Sequence, residues 1–144
     1  SVSEEFEALS GSMKKKSARM KELQELIRQG ENYKQLKPVY DELNGIKWKK
    51  QREKFEEAHG ADLRLFYTAR RILKEKLDGK PIALKAWKQE YAQLKTEYAE
   101  LSPQHKPLRE EVIRLRQVQN AVDTALRRRE QPQEVQRKKH EMEL

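Results

Sequence analysis

The sequence contains no cysteine among its 144 residues. Disulfide bonds, thiolate zinc sites and cysteine nucleophiles are therefore excluded, and the composition fits a reducing compartment, so a cytoplasmic location is predicted. No apolar run approaches the roughly 20 residues that a membrane-spanning helix needs. We therefore predict a chain that does not insert into a membrane.

Glycine and proline are also scarce, with five of each, so a loop-rich or low-complexity chain is excluded. The strong helix formers Glu, Lys, Leu, Arg, Gln and Ala dominate instead. Charged residues (39%) outnumber apolar residues (35%), which disfavours a thick interior and favours long helices that share narrow apolar surfaces. The prediction is an all-α fold, an elongated helical bundle with long coiled-coil-like helices in one structural unit.

Signatures of catalysis are missing from the sequence. The three histidines, His59, His105 and His140, are far apart in the chain, and none has a partner at helical metal-ligand spacing. There is no Gly-rich phosphate loop, no GxSxG motif and no nucleophile beside an obvious base. We therefore predict no metal site, no cofactor, no catalytic residue and no enzymatic activity for this chain by itself.

Residues 1–80 are predicted to form a basic segment of several helices. Apolar residues recur there at spacings of three and four, which is typical of amphipathic helices. Ser3 is the expected N-cap of the first helix and Gly30 its expected C-terminal stop. Later helix ends are predicted at Asn44-Gly45, near Gly60 and at Asp78-Gly79.

A long heptad pattern follows Pro81, which is expected in the first turn of its helix. Residues at spacings of three and four follow the a and d pattern of a coiled coil. All of these positions are apolar except two, His105 and Gln119, which are polar but keep the spacing. Pro103 and Pro107 predict either a kink near 103–107 in a helix over 81–130 or two stacked helices, and 131–144 is predicted to be a flexible tail. The stripe, a predicted core or assembly surface, consists of Leu84, Trp87, Tyr91, Leu94, Tyr98, Leu101, Leu108, Val112, Leu115, Val122 and Leu126.

The net charge of +8 is concentrated in the front half of the chain. Between Ser12 and Arg52 there are 12 Lys or Arg against 5 Asp or Glu, a net charge of +7. Such an excess predicts an anionic partner such as DNA. Predicted DNA-binding residues are Lys14, Lys15, Lys16, Arg19, Lys47, Lys49, Lys50, Arg52, Arg127, Arg128 and Arg129. The same lysines also fit solvated faces, and the last three arginines also fit cations near a helix C-terminus.

Aromatic residues interleave with the front-half lysines, as Tyr33, Tyr40, Trp48 and Phe55. Such a mixture is typical of surfaces that stack bases and neutralise phosphates. The rings also fit a helical core. The sequence leaves both interpretations open.

The run from Tyr91 to Val122, YAQLKTEYAELSPQHKPLREEVIRLRQVQNAV, resembles the C-terminal region of mobilisation relaxases of the MobA/MobL type, which plasmids and conjugative transposons carry. The order of helical patterns before it, from Lys14 to Leu77, is similar too. The resemblance implies that a separate N-terminal domain of the parent protein nicks DNA with a nucleophilic tyrosine and a metal-binding histidine cluster. No such catalytic cluster is recognisable in this chain, so no catalytic residue is assigned here. This chain would then contribute DNA contact, self-association or docking to other mobilisation proteins. The alternative is a structural coiled-coil adaptor with no nucleic-acid role.

Overall fold

The computed structural model describes the backbone of residues 1–143 and the side chains of residues 1–129. Four helices make up the fold: α1 (Val2–Gly45), α2 (Lys49–Ala58), α3 (Gly60–Leu77) and α4 (Leu84–Glu143). Residues 1–143 contain no β-strand, which confirms the all-α prediction. The chain divides into two compact units, a central one over Lys14–Tyr98 and a terminal one made of Ser1–Met13 and Ala99–Leu144.

In the central unit, the second part of α1 packs antiparallel to the start of α4. Lys16 forms a salt bridge with Glu97, and Glu31, which is later in α1, forms one with Lys88, which is earlier in α4. The buried cluster of this unit is apolar and combines residues from α1, α3 and α4. It consists of Leu23, Leu26, Leu73 and Trp87.

Gly30 lies inside α1 and does not end a helix, so that prediction is wrong. A Cβ atom at this position would lie 2.8 Å from Leu84 Cδ2 and 3.1 Å from Trp87 Cζ3. The missing side chain therefore lets α1 and α4 approach closely in the central unit. This close packing offsets the lower helix propensity of glycine, which costs about 1 kcal/mol relative to alanine.

Helix α3 packs an aromatic cluster against α1. Its residue Phe66 is 1% exposed, and the rings of Tyr33 and Tyr40 stack on it with centroid distances of 5.0 and 4.6 Å. The Arg70 guanidinium lies 5.2 Å from the centre of the Tyr40 ring. Hydrogen bonds from Asn44 and from Arg70 hold the pKa of the Tyr40 hydroxyl below its usual value.

The ends of α1 and α3 fall where the turn residues predicted them. Helix α1 ends at Gly45, and α3 ends before Asp78, which adopts the left-handed conformation with φ 48°. Gly79 follows with φ 86°, a conformation that glycine adopts without a Cβ penalty. Helix α4 begins at Leu84, three residues after Pro81, so the predicted first-turn position of that proline is wrong.

In the terminal unit, the first turns of α1 pack against α4. The Phe6 ring stacks on the His105 ring with centroids 5.0 Å apart, and Ser10 Oγ lies 2.9 Å from His105 Nε2. Met13 and Val112 are buried in this unit. The cap of α1 is also here, since the Glu4 N–H donates to the hydroxyl of Ser1 and not to that of Ser3.

Prolines lie inside both long helices. Helix α1 continues through Pro38, and α4 continues through Pro103 and Pro107. Helix α4 is thus one continuous helix across residues 103–107 and not two stacked helices, and a kink there stays a prediction. The predicted flexible tail over 131–144 lies outside the residues whose side chains are described.

Candidate nucleic-acid interface

The cations Lys47, Lys49, Lys50 and Arg52 lie together at the start of α2. All four side chains are exposed. None of them takes part in a salt bridge within the part of the chain whose side chains are described. We call these four residues and Trp48 the α2 basic segment.

Helix α2 presents nearly all of its side chains to solvent. It contains no buried residue, and its single large apolar side chain, Phe55, packs on the His59 ring with centroids 4.2 Å apart. Helices shorter than about 12 to 15 residues are marginal in water unless tertiary contacts support them. Helix α2 has 10 residues and buries none of them, so few tertiary contacts stabilise it.

The charges of α2 run against the dipole of the helix. Its first turn contains no acidic residue and its last turn no basic one, while Glu53, Glu56 and Glu57 follow the cations. Cations near a helix N-terminus are destabilising, because that end already carries a partial positive charge. The stability of α2 therefore does not explain why the lysines lie at its N-terminus. The charges of the lysines and the partial positive charge of the helix end add together, and both attract anions.

Trp48 is the most exposed large apolar side chain of the described residues, at 72%. It forms the N-cap position of α2 in an extended conformation, with φ −92° and ψ 129°, and its carbonyl oxygen accepts from the Arg52 N–H at 2.9 Å. Unlike Tyr33 and Tyr40, which pack on Phe66, this ring has no described aromatic neighbour. Of the four rings, Trp48 is exposed and the other three are half-buried.

The basic group near the start of the central unit has a different arrangement. Lys14 and Lys15 are exposed, whereas Lys16 Nζ lies 2.9 Å from Glu97 and Arg19 donates two hydrogen bonds to Glu90, at 2.8 and 3.0 Å. The hydrogen bond from Lys16 lowers the pKa of the Glu97 carboxyl, and that from Arg19 lowers the pKa of Glu90. Lys16 and Arg19 thus hold α1 to α4.

The two basic groups of the central unit do not form one surface. Lys14 is separated from the α2 basic segment by the rest of α1, which rises about 45 Å over 31 residues. In the terminal unit, Arg127, Arg128 and Arg129 are exposed on α4. Since α4 extends to Glu143, these arginines are not in its last turn, and their interpretation as helix-ending cations is wrong.

The heptad stripe of α4 changes character after Val112. Every stripe residue from Leu84 to Val112 is buried or half-buried, whereas the later ones are exposed. Leu115, Val122 and Leu126 have half of their surface or more in solvent, at 50%, 52% and 52%. The stripe thus has a packed part, from Leu84 to Val112, and an open part, from Leu115 to Leu126. The two parts have the same periodicity and differ in burial.

Within the described residues there is no cluster of three side chains suited to holding a metal ion. No helix in that part of the chain is both long and apolar enough to cross a membrane.

No protein-family model matches the chain, and no curated protein or solved structure shows a significant similarity to it. The resemblance to mobilisation relaxases therefore stays a prediction from the residues that carry it.

Proposed function

We propose that this chain is a non-catalytic accessory domain that binds DNA through the α2 basic segment. The observation that carries the proposal is the exposure of Lys47, Lys49, Lys50 and Arg52 at the start of a helix that buries no side chain. These four cations have no described acidic partner and can neutralise DNA phosphates. The counterions that the DNA then releases are the main source of sequence-independent DNA affinity. Their position against the helix dipole supports a role in binding and not in folding.

We further propose that the parent protein is a mobilisation relaxase, which nicks DNA through a separate N-terminal domain. This part of the proposal is supported by the residues of α4 from Tyr91 to Val122 and by the order of helical patterns from Lys14 to Leu77. A parent protein with a nicking tyrosine and a histidine cluster upstream is the expected finding. An upstream region of a different class would remove the relaxase assignment and leave DNA binding to be judged separately.

The test is the salt dependence of DNA binding, measured by fluorescence anisotropy with a labelled duplex. Four phosphate contacts give a slope of about −3.6 in log K against log salt, so that these contacts lose about 100-fold in affinity between 50 and 200 mM salt. The variant in which Lys47, Lys49, Lys50 and Arg52 are all replaced by Gln should lose this part of the slope. Its helical content should stay unchanged, because none of the four side chains is buried.

A matched control removes the same charge elsewhere in the central unit. Lys74, Lys76, Lys80 and Lys85 are also exposed, and replacing them by Gln changes the net charge by the same amount. We expect the control to keep most of the slope. If both variants weaken binding equally, only net charge matters, and if wild-type binding has no salt dependence, the proposed DNA contact is wrong.

The second candidate function is that of a coiled-coil adaptor that joins proteins. The open part of the heptad stripe, where Leu115, Val122 and Leu126 are exposed, is the observation that favours it. Contiguous exposed apolar residues on one helix face are typical of protein interaction sites. An adaptor without a nucleic-acid role would bind a protein partner and show no salt-dependent affinity for DNA.

A further inference from the structure

Four large apolar side chains of α4 are exposed in the terminal unit. Leu115 is 50% exposed, Val118 61%, Val122 52% and Leu126 52%. They follow one another at spacings of three, four and four residues. At 3.6 residues per turn, this spacing places all four within an arc of about 80° on one side of the helix. We call these four residues the open face of α4.

The open face continues a surface that already packs helices together. In the terminal unit, the stripe residues Leu101, His105, Leu108 and Val112 are buried or half-buried, and His105 contacts Phe6 of α1. The a and d alternation keeps its phase from Val112 into Leu115 and Val122. The open face therefore has the pattern of a helix-packing surface, but none of the residues whose side chains are described covers it.

Basic residues are in excess in the stretch of α4 that carries the open face. Between Ile113 and Arg129 there are five arginines, Arg114, Arg116, Arg127, Arg128 and Arg129, against a single acidic residue, Asp123. The net charge of this stretch is thus +4. In helix pairs, charges beside the apolar stripe decide which partner binds, because like charges repel across the contact. A second copy of this stretch would bring eight net positive charges together.

We propose that the open face of α4 binds an acidic amphipathic helix of a partner protein. The partner helix would carry its own apolar stripe, which packs on Leu115, Val118, Val122 and Leu126, and an excess of glutamate and aspartate that complements the positive charge of this stretch of α4. Such a contact is a pairing of two helices, in which a few apolar residues give affinity and the charges give specificity. The proposal rests on the assembly role described above and does not require DNA contact by α2.

The test uses the full chain and two designed peptides of about three heptads, long enough to form a helical pair on binding. Both have Leu at the a and d positions. One has Glu at the e and g positions and the other has Lys there, and each carries a fluorescent label for anisotropy. We expect saturable binding of the acidic peptide and at least tenfold weaker binding of the basic one.

Variants of α4 separate the open face from the rest of the helix. Replacing both Leu115 and Val122 by Gln should weaken the acidic peptide at least tenfold. Ile113 is the matched control, because it is 42% exposed but lies about 160° around the helix from Leu115. Ile113→Gln should change the affinity by less than twofold, and circular dichroism should show equal helix in both variants.

Three results would overturn the proposal. They are equal binding of the two peptides, loss of binding in the Ile113 control, and a dimer in sedimentation that the Leu115 and Val122 replacements abolish, which would make the occupant a second copy. Replacing the cations of the α2 basic segment should leave peptide binding unchanged, and the α4 variants should leave DNA binding unchanged. A failure of DNA binding and a failure of peptide binding are therefore distinguishable.

Discussion

The backbone of Gly30 faces the Trp87 ring so closely that a Cβ atom would lie 3.1 Å from Trp87 Cζ3. Trp87 is 7% exposed and belongs to the buried cluster of the central unit, so its ring has little room to move. The contact therefore fixes how closely α1 and α4 approach at this point.

The contact predicts opposite effects for two Gly→Ala substitutions in α1. Both substitutions raise helix propensity by about 1 kcal/mol. A Cβ atom added at Gly11 would meet no atom within 4 Å, unlike one added at Gly30. Gly11→Ala should raise the free energy of unfolding by that amount. Gly30→Ala should be less stable than Gly11→Ala by about 1 to 3 kcal/mol, because the added methyl group overpacks the contact. Urea denaturation measures both, and equal stabilities of the two variants would contradict the close contact.

The ion pairs between α1 and α4 predict a loss of stability in acid. The lowered pKa values of Glu90 and Glu97 mean that the folded state binds protons less readily than the unfolded state. These pairs therefore contribute stability above the ordinary glutamate pKa of 4.5 and lose it as the pH falls through the lowered values. The urea midpoint should fall between about pH 5 and pH 3.

Replacing both Glu90 and Glu97 by Gln should make that decline shallower. Glu100→Gln is the control on the same helix, since Glu100 takes part in no salt bridge among the described side chains. It should follow the wild-type pH profile. High salt should reduce the difference between wild type and the double variant, because these side chains are partly exposed and their attraction is screened.

The exposure of Trp48 predicts that DNA alters its fluorescence. Base stacking on an exposed aromatic ring contributes about 1 to 3 kcal/mol per base and needs an unpaired base. Single-stranded DNA should therefore quench the wild-type emission more than duplex DNA does. In Trp48→Phe, the remaining indole is the buried Trp87, so the emission should shift to shorter wavelength and the quenching should disappear. Quenching of equal size in that variant would show that Trp48 makes no contact.

The pair of His105 and Ser10 predicts that a polar stripe residue stabilises the terminal unit. Ser10→Ala removes a hydrogen bond and should cost about 1 kcal/mol. His105→Ala also removes the stacking on Phe6 and should cost about 2 kcal/mol. Gln119→Ala is the control, because Gln119 is the other polar residue in the same stripe but is exposed. It should stay within about 0.5 kcal/mol of wild type, and a larger cost would contradict the special role of His105.

Local patterns predicted the helices better than they predicted what the helices contact. The heptad alternation indicated a helix from Leu84 onwards, and the turn residues Asn44-Gly45 and Asp78-Gly79 marked the ends of α1 and α3. Periodicity alone does not reveal which part of a stripe is covered. Burial in this part of the stripe depends on contacts with the first turns of α1, such as that between Ser10 and His105, which lie 95 positions apart in the sequence.

Long-range contacts also explain the predictions that were wrong or incomplete. Gly30 has the local character of a helix stop, but its contact with Trp87 keeps it inside α1. Lys16 and Arg19 belong to a cationic run, yet their acidic partners Glu97 and Glu90 lie more than 70 residues further along the chain. A sequence pattern assigns charge to a helix face and does not reveal which face meets another helix.

The lack of any buried side chain in α2 has a consequence for how a ligand is detected. A helix held by so few contacts opens at a free-energy cost well below that of global unfolding, so its amide hydrogens exchange with solvent early. A ligand that binds only the closed helix slows this exchange in proportion to its occupancy. Amide exchange in residues 49–58 is thus a local gauge of ligand binding that needs no label, while exchange around Trp87 serves as the internal reference.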